Sequence, residues 1–371
     1  MKITLERADL LKGLSHIQSV VERRNTIPIL SNVLIVAEKG KVSFSATDME
    51  IEVNEVVTAS IVEPGSLTAP AHTMYEIVRK LPDGAQVELA ATGSGQLVLS
   101  AGRSQFKLGC LPVGDFPKMP DGDYKHKFSL DIADLRVMID RTRFAMSSEE
   151  TRFYLNGIYL HSTAVDNVEV FRAVATDGHR LARVEMAAPK GVTGLAGIIV
   201  PRKTINEARK ILDEMSGQVE IALSESKVRF TFDHIVITSK LIDGTFPDYE
   251  RVIPQGNDKA LSTDPRVFGA AVDRVATISS EKSRGVKLSL SEKQMILTAN
   301  APEAGSATEE MEVSYDGAPL DIGFNARYLM EVLQQIEGDG VRFMMADTAA
   351  PVIVQDVGDE SALYVLMPMR V

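Results

Sequence analysis

The feature that most constrains this chain is an internal repetition, because one order of predicted elements occurs three times. Each copy begins with a short strand and an amphipathic helix, continues with two strands and a second helix, and ends in alternating strands. Equivalent points lie roughly 125–131 residues apart, an ordinary domain size. The repetition predicts an α+β fold of three related domains, each with two helices packed on antiparallel sheet. The predicted domains are 1–121, 127–254 and 259–371.

Apolar residues spaced three or four apart predict two helices in each copy. The first helices are marked by the apolar faces Leu10, Leu14, Ile17 and Val21, then Leu135, Met138, Thr142 and Met146, then Phe268, Val272, Val275 and Ile278. The second helices are predicted at 71–81, 202–215 and 325–337.

Short matching words support the alignment of the copies. The strand before the second helix ends in Thr47-Asp48 in the first copy, Thr176-Asp177-Gly178 in the second and Thr298-Ala299-Asn300 in the third. The first two copies also close on the same pair, Phe116-Pro117 and Phe246-Pro247, within the Pro/Gly-rich stretches 115–127 and 246–259. These stretches are candidate linkers.

Composition narrows the class of protein. The hydrophobic share of 44% and the charged share of 25% are typical of a soluble globular protein. The single cysteine, Cys110, excludes an intrachain disulfide and a cysteine-based zinc site. The N-terminal stretch carries charges throughout and no segment reaches the length of a membrane span, so a cytoplasmic location is expected.

Charge is distributed unevenly along the chain. The whole sequence carries a net charge of −11, whereas the six predicted helical segments together carry +5. A basic helical wall would attract a phosphate backbone without reading sequence. Solvated helix faces are the alternative, and the last segment, at −1, favours a scaffold with no role on nucleic acid. The basic candidates are Arg23, Arg24, Arg79, Lys80, Arg136, Arg141, Arg143, Arg202, Lys203, Arg209, Lys210, Arg274, Lys282 and Arg284.

Motifs for catalysis are largely missing. Gly93-Ser94-Gly95 lacks the Lys-Ser/Thr of a nucleotide-binding loop and reads as a hairpin turn, and no cofactor motif is present. A metal-dependent nucleic-acid enzyme could use Asp48, Asp177 and His179. However, the third copy has Asn300 at this point, and Asp and Asn are ordinary turn formers. We therefore predict no catalytic residue, no metal and no cofactor.

The C-terminus places Met367 and Met369 on either side of Pro368. A last core strand with a frayed end is one interpretation. The other is an adaptable apolar groove, because methionine side chains suit surfaces that accept several partners.

A set of short sequence motifs in fixed order gives the chain a family resemblance. They are Pro28-Ile29-Leu30, Tyr154-Leu155-Asn156-Gly157, Ala175-Thr176-Asp177-Gly178-His179-Arg180-Leu181, Ile199-Val200-Pro201-Arg202-Lys203, Thr238-Ser239-Lys240, Phe246-Pro247-Asp248-Tyr249, Gly323-Phe324-Asn325 and Met367-Pro368-Met369-Arg370. With these words the chain resembles the bacterial sliding clamps, the beta subunits of DNA polymerase III, over essentially its whole length.

The resemblance implies a non-catalytic processivity factor of a DNA-directed DNA polymerase holoenzyme. It implies a head-to-tail homodimer ring with helices lining the pore, sequence-independent binding of double-stranded DNA, and loading by an ATP-dependent clamp loader. Partners would be the polymerase III catalytic subunit, other polymerases and repair proteins, each bound through one groove per subunit. The groove residues that carry over are Leu155, Thr176, Gly178, His179, Arg180, Leu181, Pro247, Arg251, Val252, Val365, Leu366, Met367, Pro368, Met369 and Arg370.

The resemblance also implies a subunit junction and DNA contacts. The junction residues that carry over are Arg103, Phe106, Leu108, Thr277, Ile278, Glu303 and Glu309. The DNA contacts that carry over are Arg24, Arg152, Phe153 and Tyr154, and the helical charges add Arg79, Arg141, Arg202, Lys203 and Lys210.

Overall fold

The computed structural model describes residues 1–23, 26–279, 284–302, 304–315 and 317–370. These residues form six α-helices and 26 β-strands, and the strand pairs described below are antiparallel. The predicted α+β class is confirmed.

The helices lie where the apolar spacing predicts them. They are α1 (Arg7–Gln18), α2 (Ala71–Lys80), α3 (Ile132–Arg143), α4 (Arg202–Leu212), α5 (Pro265–Ala276) and α6 (Ala326–Leu333). The predicted spans of α4 and α6 are too long, since both helices end several residues earlier than the apolar pattern does. Side-chain caps begin the last two helices: Asp264 accepts from two amides of α5, and Asn325 does so for α6.

The chain divides into two compact units. The first unit contains residues 1–136, 189–192 and 203–241, and the second contains 137–188, 193–202 and 242–371. The central third of the chain therefore contributes to both units, and the division falls within α3.

Two sheets build the first unit. The five-stranded sheet has the order β5 (Ser60–Glu63), β1 (Lys2–Glu6), β7 (Gln86–Thr92), β8 (Gln96–Ala101) and β9 (Ser104–Gly109). The eight-stranded sheet has the order β10 (His126–Asp131), β15 (Gln218–Leu223), β16 (Lys227–Phe232), β17 (Ile235–Lys240), β4 (Ile51–Thr58), β3 (Lys41–Thr47), β2 (Asn32–Glu38) and β6 (Gly65–Pro70).

Two further sheets build the second unit. The nine-stranded sheet has the order β14 (Ile198–Pro201), β11 (Gly157–Val165), β12 (Val168–Thr176), β13 (Arg180–Ala187), β26 (Ala362–Leu366), β25 (Val352–Asp356), β24 (Val341–Met345), β18 (Lys259–Thr263) and β22 (Ser314–Tyr315). The four-stranded sheet has the order β21 (Gly305–Glu312), β20 (Gln294–Ala301), β19 (Gly285–Ser291) and β23 (Leu320–Asn325).

The two large sheets explain why the central segment is shared. Its strands β10, β15, β16 and β17 continue the sheet of the first segment, where β17 pairs with β4. Its strands β11 to β14 continue the sheet of the third segment, where β13 pairs with β26. The three domains predicted from the sequence, with boundaries near 121–127 and 254–259, therefore stay a prediction.

Alternating burial along the strands builds the core of each unit. In β16 and β19, apolar side chains point inward at every second residue, as the period of a pleated strand requires. The hairpin between β2 and β3 turns at Lys39 and Gly40, which have φ values of 49° and 75°. Such paired positive φ values form the tight turn that matches the twist of two antiparallel strands.

Candidate functional site

The predicted groove residues all lie in the second unit, around the junction of β13 and β26. The two strands pair antiparallel with Leu181 opposite Val365. Just beyond this pair, the Met367 amide donates a hydrogen bond to the His179 carbonyl oxygen at 2.9 Å. The C-terminal segment therefore runs beside the 176–180 turn, and parts of the chain far apart in sequence share one surface.

The 176–180 turn is held by its own side chains. The Thr176 hydroxyl donates to the Arg180 carbonyl oxygen at 2.7 Å and accepts from the Gly178 amide at 3.1 Å. Asp177 Oδ1 accepts from the amides of His179 at 2.9 Å and Arg180 at 3.1 Å. Gly178 has a φ of 87°, a conformation that costs glycine little. Asp177 therefore acts as a turn former, and the His179 side chain is exposed at the tip.

The Arg180 side chain points into the protein and is only 5% exposed. Its Nε lies 3.2 Å from Asp177 Oδ2, its Nη1 pairs with Glu331, and its Nη2 donates to the Phe144 carbonyl oxygen at 2.6 Å. The guanidinium also lies 4.4 Å from the centre of the Tyr328 ring, within cation–π distance. Arg180 thus fixes the turn against α6 from inside, although the sequence placed it among the groove contacts.

An apolar floor lies beneath the turn. Leu155, Leu181 and Val365 are 5%, 2% and 2% exposed, and they belong to one buried cluster with Phe246 and Tyr249. Thr176 and Leu366, also predicted for the groove, are buried as well. More exposed residues surround this floor, namely Gly178, His179, Pro247, Arg251, Val252, Met367, Pro368, Met369 and Arg370.

The rim combines apolar side chains with cations. Val252 and Met367 are 49% and 41% exposed, unusually high for large apolar residues. Arg251 is 84% exposed and pairs with Asp248 at 2.7 Å, while Arg370 is exposed at the chain end. Exposed apolar groups beside exposed cations suit a short segment with apolar and acidic side chains.

Sequence reasoning missed the polar network under the floor. Tyr159 stacks on Phe246 with ring centres 4.7 Å apart, and His161 Nε2 lies 3.0 Å from the Tyr249 hydroxyl. Arg172 donates to the same hydroxyl at 3.0 Å. Burial lowers the pKa of His161 and raises that of Tyr249. In the sequence, only the motif that contains Phe246 and Tyr249 could have indicated this network, because the partners of these two residues come from the separate strands β11 and β12.

Three of the predicted junction residues lie on the edge strands of two sheets. β9, which carries Phe106 and Leu108, ends the five-stranded sheet, and β21, which carries Glu309, ends the four-stranded sheet. Phe106 is half-buried and Leu108 is 8% exposed. Thr277 is exposed, Ile278 is half-buried just after α5, and Glu303 lies outside the described residues.

The two open edges carry unlike charge. Arg103 and Lys107 are exposed on or beside β9, whereas Glu309, Glu310 and Glu312 lie on β21. Open edges present unpaired main-chain donors and acceptors that another strand can complete.

The predicted DNA contacts of the first unit differ in exposure. Arg79 and Lys210 are more than half exposed, and each pairs with a glutamate one turn away on its own helix. Lys203 is one-third exposed and contacts Asp48 at 2.5 Å. Arg24 lies outside the described residues.

The predicted DNA contacts of the second unit fall into two groups. Arg152 and Phe153 are about half exposed, and Tyr154 packs partly against the apolar floor. Arg141, in contrast, is 11% exposed and pairs with a carboxylate at 2.6 Å. Arg202 donates to main-chain carbonyl oxygens, one of them at 2.9 Å. The side chains of Arg141 and Arg202 are therefore engaged in contacts within the unit.

Family models match nearly the whole chain. The DNA polymerase III beta subunit N-terminal domain matches residues 1–120, the central domain 129–248 and the C-terminal domain 250–370. The chain is 55% identical over 372 residues to the beta sliding clamp of Caulobacter vibrioides and 39% identical over 371 residues to that of Escherichia coli, covering 100% of each. This chain belongs to the DNA polymerase III beta subunit family.

Solved sliding clamps have the same fold. The crystal structure from Caulobacter crescentus has a TM-score of 0.98 at 55% identity and covers 100% of this chain and 99% of that one. The sliding clamp from Bartonella birtlesii bound to griselimycin has a TM-score of 0.98 at 48% identity, with 100% of both chains covered. The chain is a sliding DNA clamp, a non-catalytic subunit that works with DNA and a polymerase.

The alternative, a metal-dependent enzyme, is not supported for this sliding clamp. Asp48 Oδ1 accepts from the amides of Glu50 and Ile51, each at 2.8 Å, so Asp48 forms a turn as Asp177 does. In the third copy β20 continues through Asn300, which pairs with Ser306 in place of turning. The described part of the chain contains no cluster of three or more His, Cys, Asp or Glu side chains fit to hold a metal ion.

None of the helices in the described ranges combines the length and the apolar run that crossing a bilayer requires.

Proposed function

We propose that two copies of this sliding clamp close head to tail around duplex DNA, and that the groove beside β26 tethers a polymerase to the ring. A head-to-tail contact joins two different surfaces, and such contacts form a ring when the rotation closes. The observation that carries the proposal is the pair of open sheet edges of unlike charge, β9 and β21.

A closed ring holds DNA by topology. It leaves a duplex only by opening or by sliding off an end, so retention needs no tight contact with the bases. The sequence has no nucleotide-binding loop, so opening the ring is assigned to a separate ATP-dependent loader. A bacterial protein that acts on the DNA of the cell does so in the cytoplasm, so we propose a cytoplasmic location.

Contacts with DNA are proposed to be weak and independent of sequence. The exposed cations Arg79, Arg152 and Lys210 are the strongest candidates, together with Arg24. Each of the first three has a carboxylate within 3.2 Å, which reduces its net attraction for phosphate. Weak phosphate attraction suits sliding, because a ligand that reads no base has no preferred position.

The groove is proposed to bind a short linear peptide of each partner. Its apolar floor accepts hydrophobic side chains, while His179, Arg251 and Arg370 at the rim orient the peptide. The catalytic subunit of DNA polymerase III is the first proposed partner. Further proposed partners are the clamp loader, other polymerases and repair proteins.

Ring closure is tested by Phe106→Asp on β9. A carboxylate placed at the strand junction would be buried without a partner, so we expect monomers at concentrations where the wild type is dimeric, measured by mass photometry. Loaded onto nicked circular DNA, wild-type protein should stay bound and should be lost when the circle is linearised. Equal retention on circular and linear DNA would refute enclosure.

The same sheet supplies a matched control. Val62→Asp changes an apolar residue that is 64% exposed on β5, at the opposite edge from β9. This variant should remain dimeric and stay on circular DNA. If both variants dissociate, the effect comes from a disturbed sheet and the β9 junction is rejected.

Peptide binding is tested by Met367→Asp, with a labelled synthetic peptide that carries the clamp-binding motif of the organism's own polymerase III catalytic subunit. We expect at least tenfold weaker binding by fluorescence anisotropy, because a charge enters the apolar rim. Val168→Asp, at a residue 61% exposed on β12, is the control and should bind normally. Unchanged affinity in Met367→Asp would refute the groove assignment.

A further inference from the structure

The turn at 47–51 in the first unit repeats the groove turn of the second unit bond for bond. The Thr47 hydroxyl donates to the Ile51 carbonyl oxygen at 2.8 Å and accepts from the Met49 amide at 2.9 Å. Asp48 Oδ1 accepts from the next two amides, as Asp177 Oδ1 does. Met49 has a φ of 77°, close to the 87° of its counterpart Gly178.

The neighbouring strand is repeated as well. β17 pairs with β4 so that Ser239 lies opposite Ile51, just as β26 pairs with β13. Beyond the pair, the Lys240 amide donates to the Glu50 carbonyl oxygen at 2.9 Å. The Met367 amide makes the equivalent bond at the same distance in the second unit. The chain leaving β17 therefore follows the path of the C-terminal segment.

The third part of the groove also has a counterpart. Phe116 is buried with Ile29, Leu30 and Leu34, and Pro117 follows it. In the second unit, Phe246 is buried in the groove cluster and is likewise followed by a proline.

A cavity of about 290 Å³ lies where these parts meet. It is lined by Thr47, Met49, Pro117, Lys118, Met119, Pro120, Lys227 and Lys240. All of these residues belong to the first unit. The volume is near the lower end of ligand pockets, which run from about 300 to 1,000 Å³, so it fits a few side chains of an extended peptide.

The lining indicates the chemistry of the occupant. Methionine and proline side chains give the walls their apolar character, and Met49 is 47% exposed at the mouth. Three lysines surround these walls, and Lys118 is exposed. Lys240 already pairs with Glu50 at 2.9 Å, so a carboxylate can bind at this rim. Apolar walls with a cationic rim complement a short apolar segment flanked by acidic residues.

We propose that this cavity is a second peptide-binding site, which accepts a short apolar segment with flanking carboxylates from a clamp partner. The inference rests on the proposed function only in taking its ligands from proteins that already dock on the clamp. Each chain would then carry two sites of common design.

Methionine methyl signals can report on both sites in the full-length protein. Met49 and Met119 line the new site, and Met367 and Met369 lie at the rim of the first groove. The chain is labelled with ¹³C at the methionine methyl groups, and the signals are assigned with Met→Leu variants. One probe is a synthetic peptide with two adjacent leucines flanked by glutamates, and the other is the polymerase-motif peptide used above.

We expect the glutamate-flanked peptide to shift the Met49 and Met119 signals in wild type and equally in Met367→Asp. Met49→Asp should weaken binding of this peptide, followed through the Met119 signal, at least tenfold. Aspartate tolerates the left-handed backbone at this position, so the variant should still fold. Lys118→Glu should weaken binding of the glutamate-flanked peptide roughly two- to fivefold, as expected for the loss of one exposed ion pair. A lysine-flanked peptide should instead bind Lys118→Glu more tightly than wild type.

The outcomes separate this inference from the proposed function. If the polymerase peptide shifts Met367 and Met369 while neither peptide moves Met49 or Met119 at millimolar concentration, the second site is refuted and the first groove stands. Glutamate-flanked binding that is unaffected by both Met49→Asp and Lys118→Glu also refutes it. Shifts at Met49 and Met119 without any at Met367 and Met369 support the second site and reject the first groove.

Discussion

A buried charge pair in the first unit gives the sharpest test of how this fold is stabilised. Glu55, in β4, is 1% exposed, and its Oε2 lies 2.8 Å from Nδ1 of His16 on α1. The Nε2 of His16 lies 3.2 Å from Glu214 Oε1, and His234 lies 3.8 Å from the other oxygen of Glu55. Burial acts to lower the pKa of His16, but the hydrogen bonds and charges of Glu55 and Glu214 outweigh it and raise that pKa.

The perturbation is His16→Leu, which removes one member of the pair and leaves the Glu55 carboxylate buried. Breaking a buried pair in this way costs about 3–5 kcal/mol of unfolding free energy. For a unit of this size the melting temperature should fall by about 6–20 °C. The double variant His16→Leu/Glu55→Leu should recover much of this loss, because well-packed apolar groups replace such pairs at little cost.

The pH dependence has a definite sign. Because the folded-state pKa of His16 is raised, its contribution is fully present below the unfolded value of 6.5 and is lost as pH rises through the folded value. Hydrogen exchange of the β4 and α1 amides, corrected for the intrinsic exchange rate, should therefore show wild-type stability falling as pH rises above 6.5. In His16→Gln this slope should disappear. A variant with the wild-type slope, or a double variant no more stable than the single one, would refute the reasoning.

Three further predictions concern the second unit. Burial lowers the pKa of His161, so its contribution to stability is present above 6.5 and is lost as pH falls below that value. The protection factors of β11 amides, which are corrected for the intrinsic exchange rate at each pH, should therefore fall between pH 7 and pH 5. In Gly157→Ala the new Cβ would lie 2.2 Å from the Val200 carbonyl oxygen, so the melting temperature and peptide affinity should both fall, with an unchanged protein as the contrary result. A hydrogen bond from Ser361, with a neighbouring guanidinium, lowers the pKa of Asp359 to about 2. The contribution of Asp359 to stability is therefore lost as pH falls from 3.8 toward that value. Acid denaturation of Asp359→Asn should lack this step.

Local pattern alone determined much of this protein. Apolar spacing predicts all six helices, because each must bury one face. It places their ends too late, since Val21, Met146 and Ile278 lie past the last residues of α1, α3 and α5, and the predicted spans of α4 and α6 are also too long. The hairpin turns follow from residues that accept positive φ. The ordered words, which include Gly157 and the 176–180 turn, predict the family, because they record backbone and groove positions that few residue types can fill.

The tertiary structure alone decided which distant residues meet. Strand pairs such as Ile237 with Val53 and Leu181 with Val365 join different thirds of the chain, and no local pattern specifies the partner of a strand. The same long-range pairing turns Arg180 inward and brings His16 against a carboxylate from β4. Sequence periodicity reports which side of an element is apolar, whereas packing in three dimensions decides what that side touches.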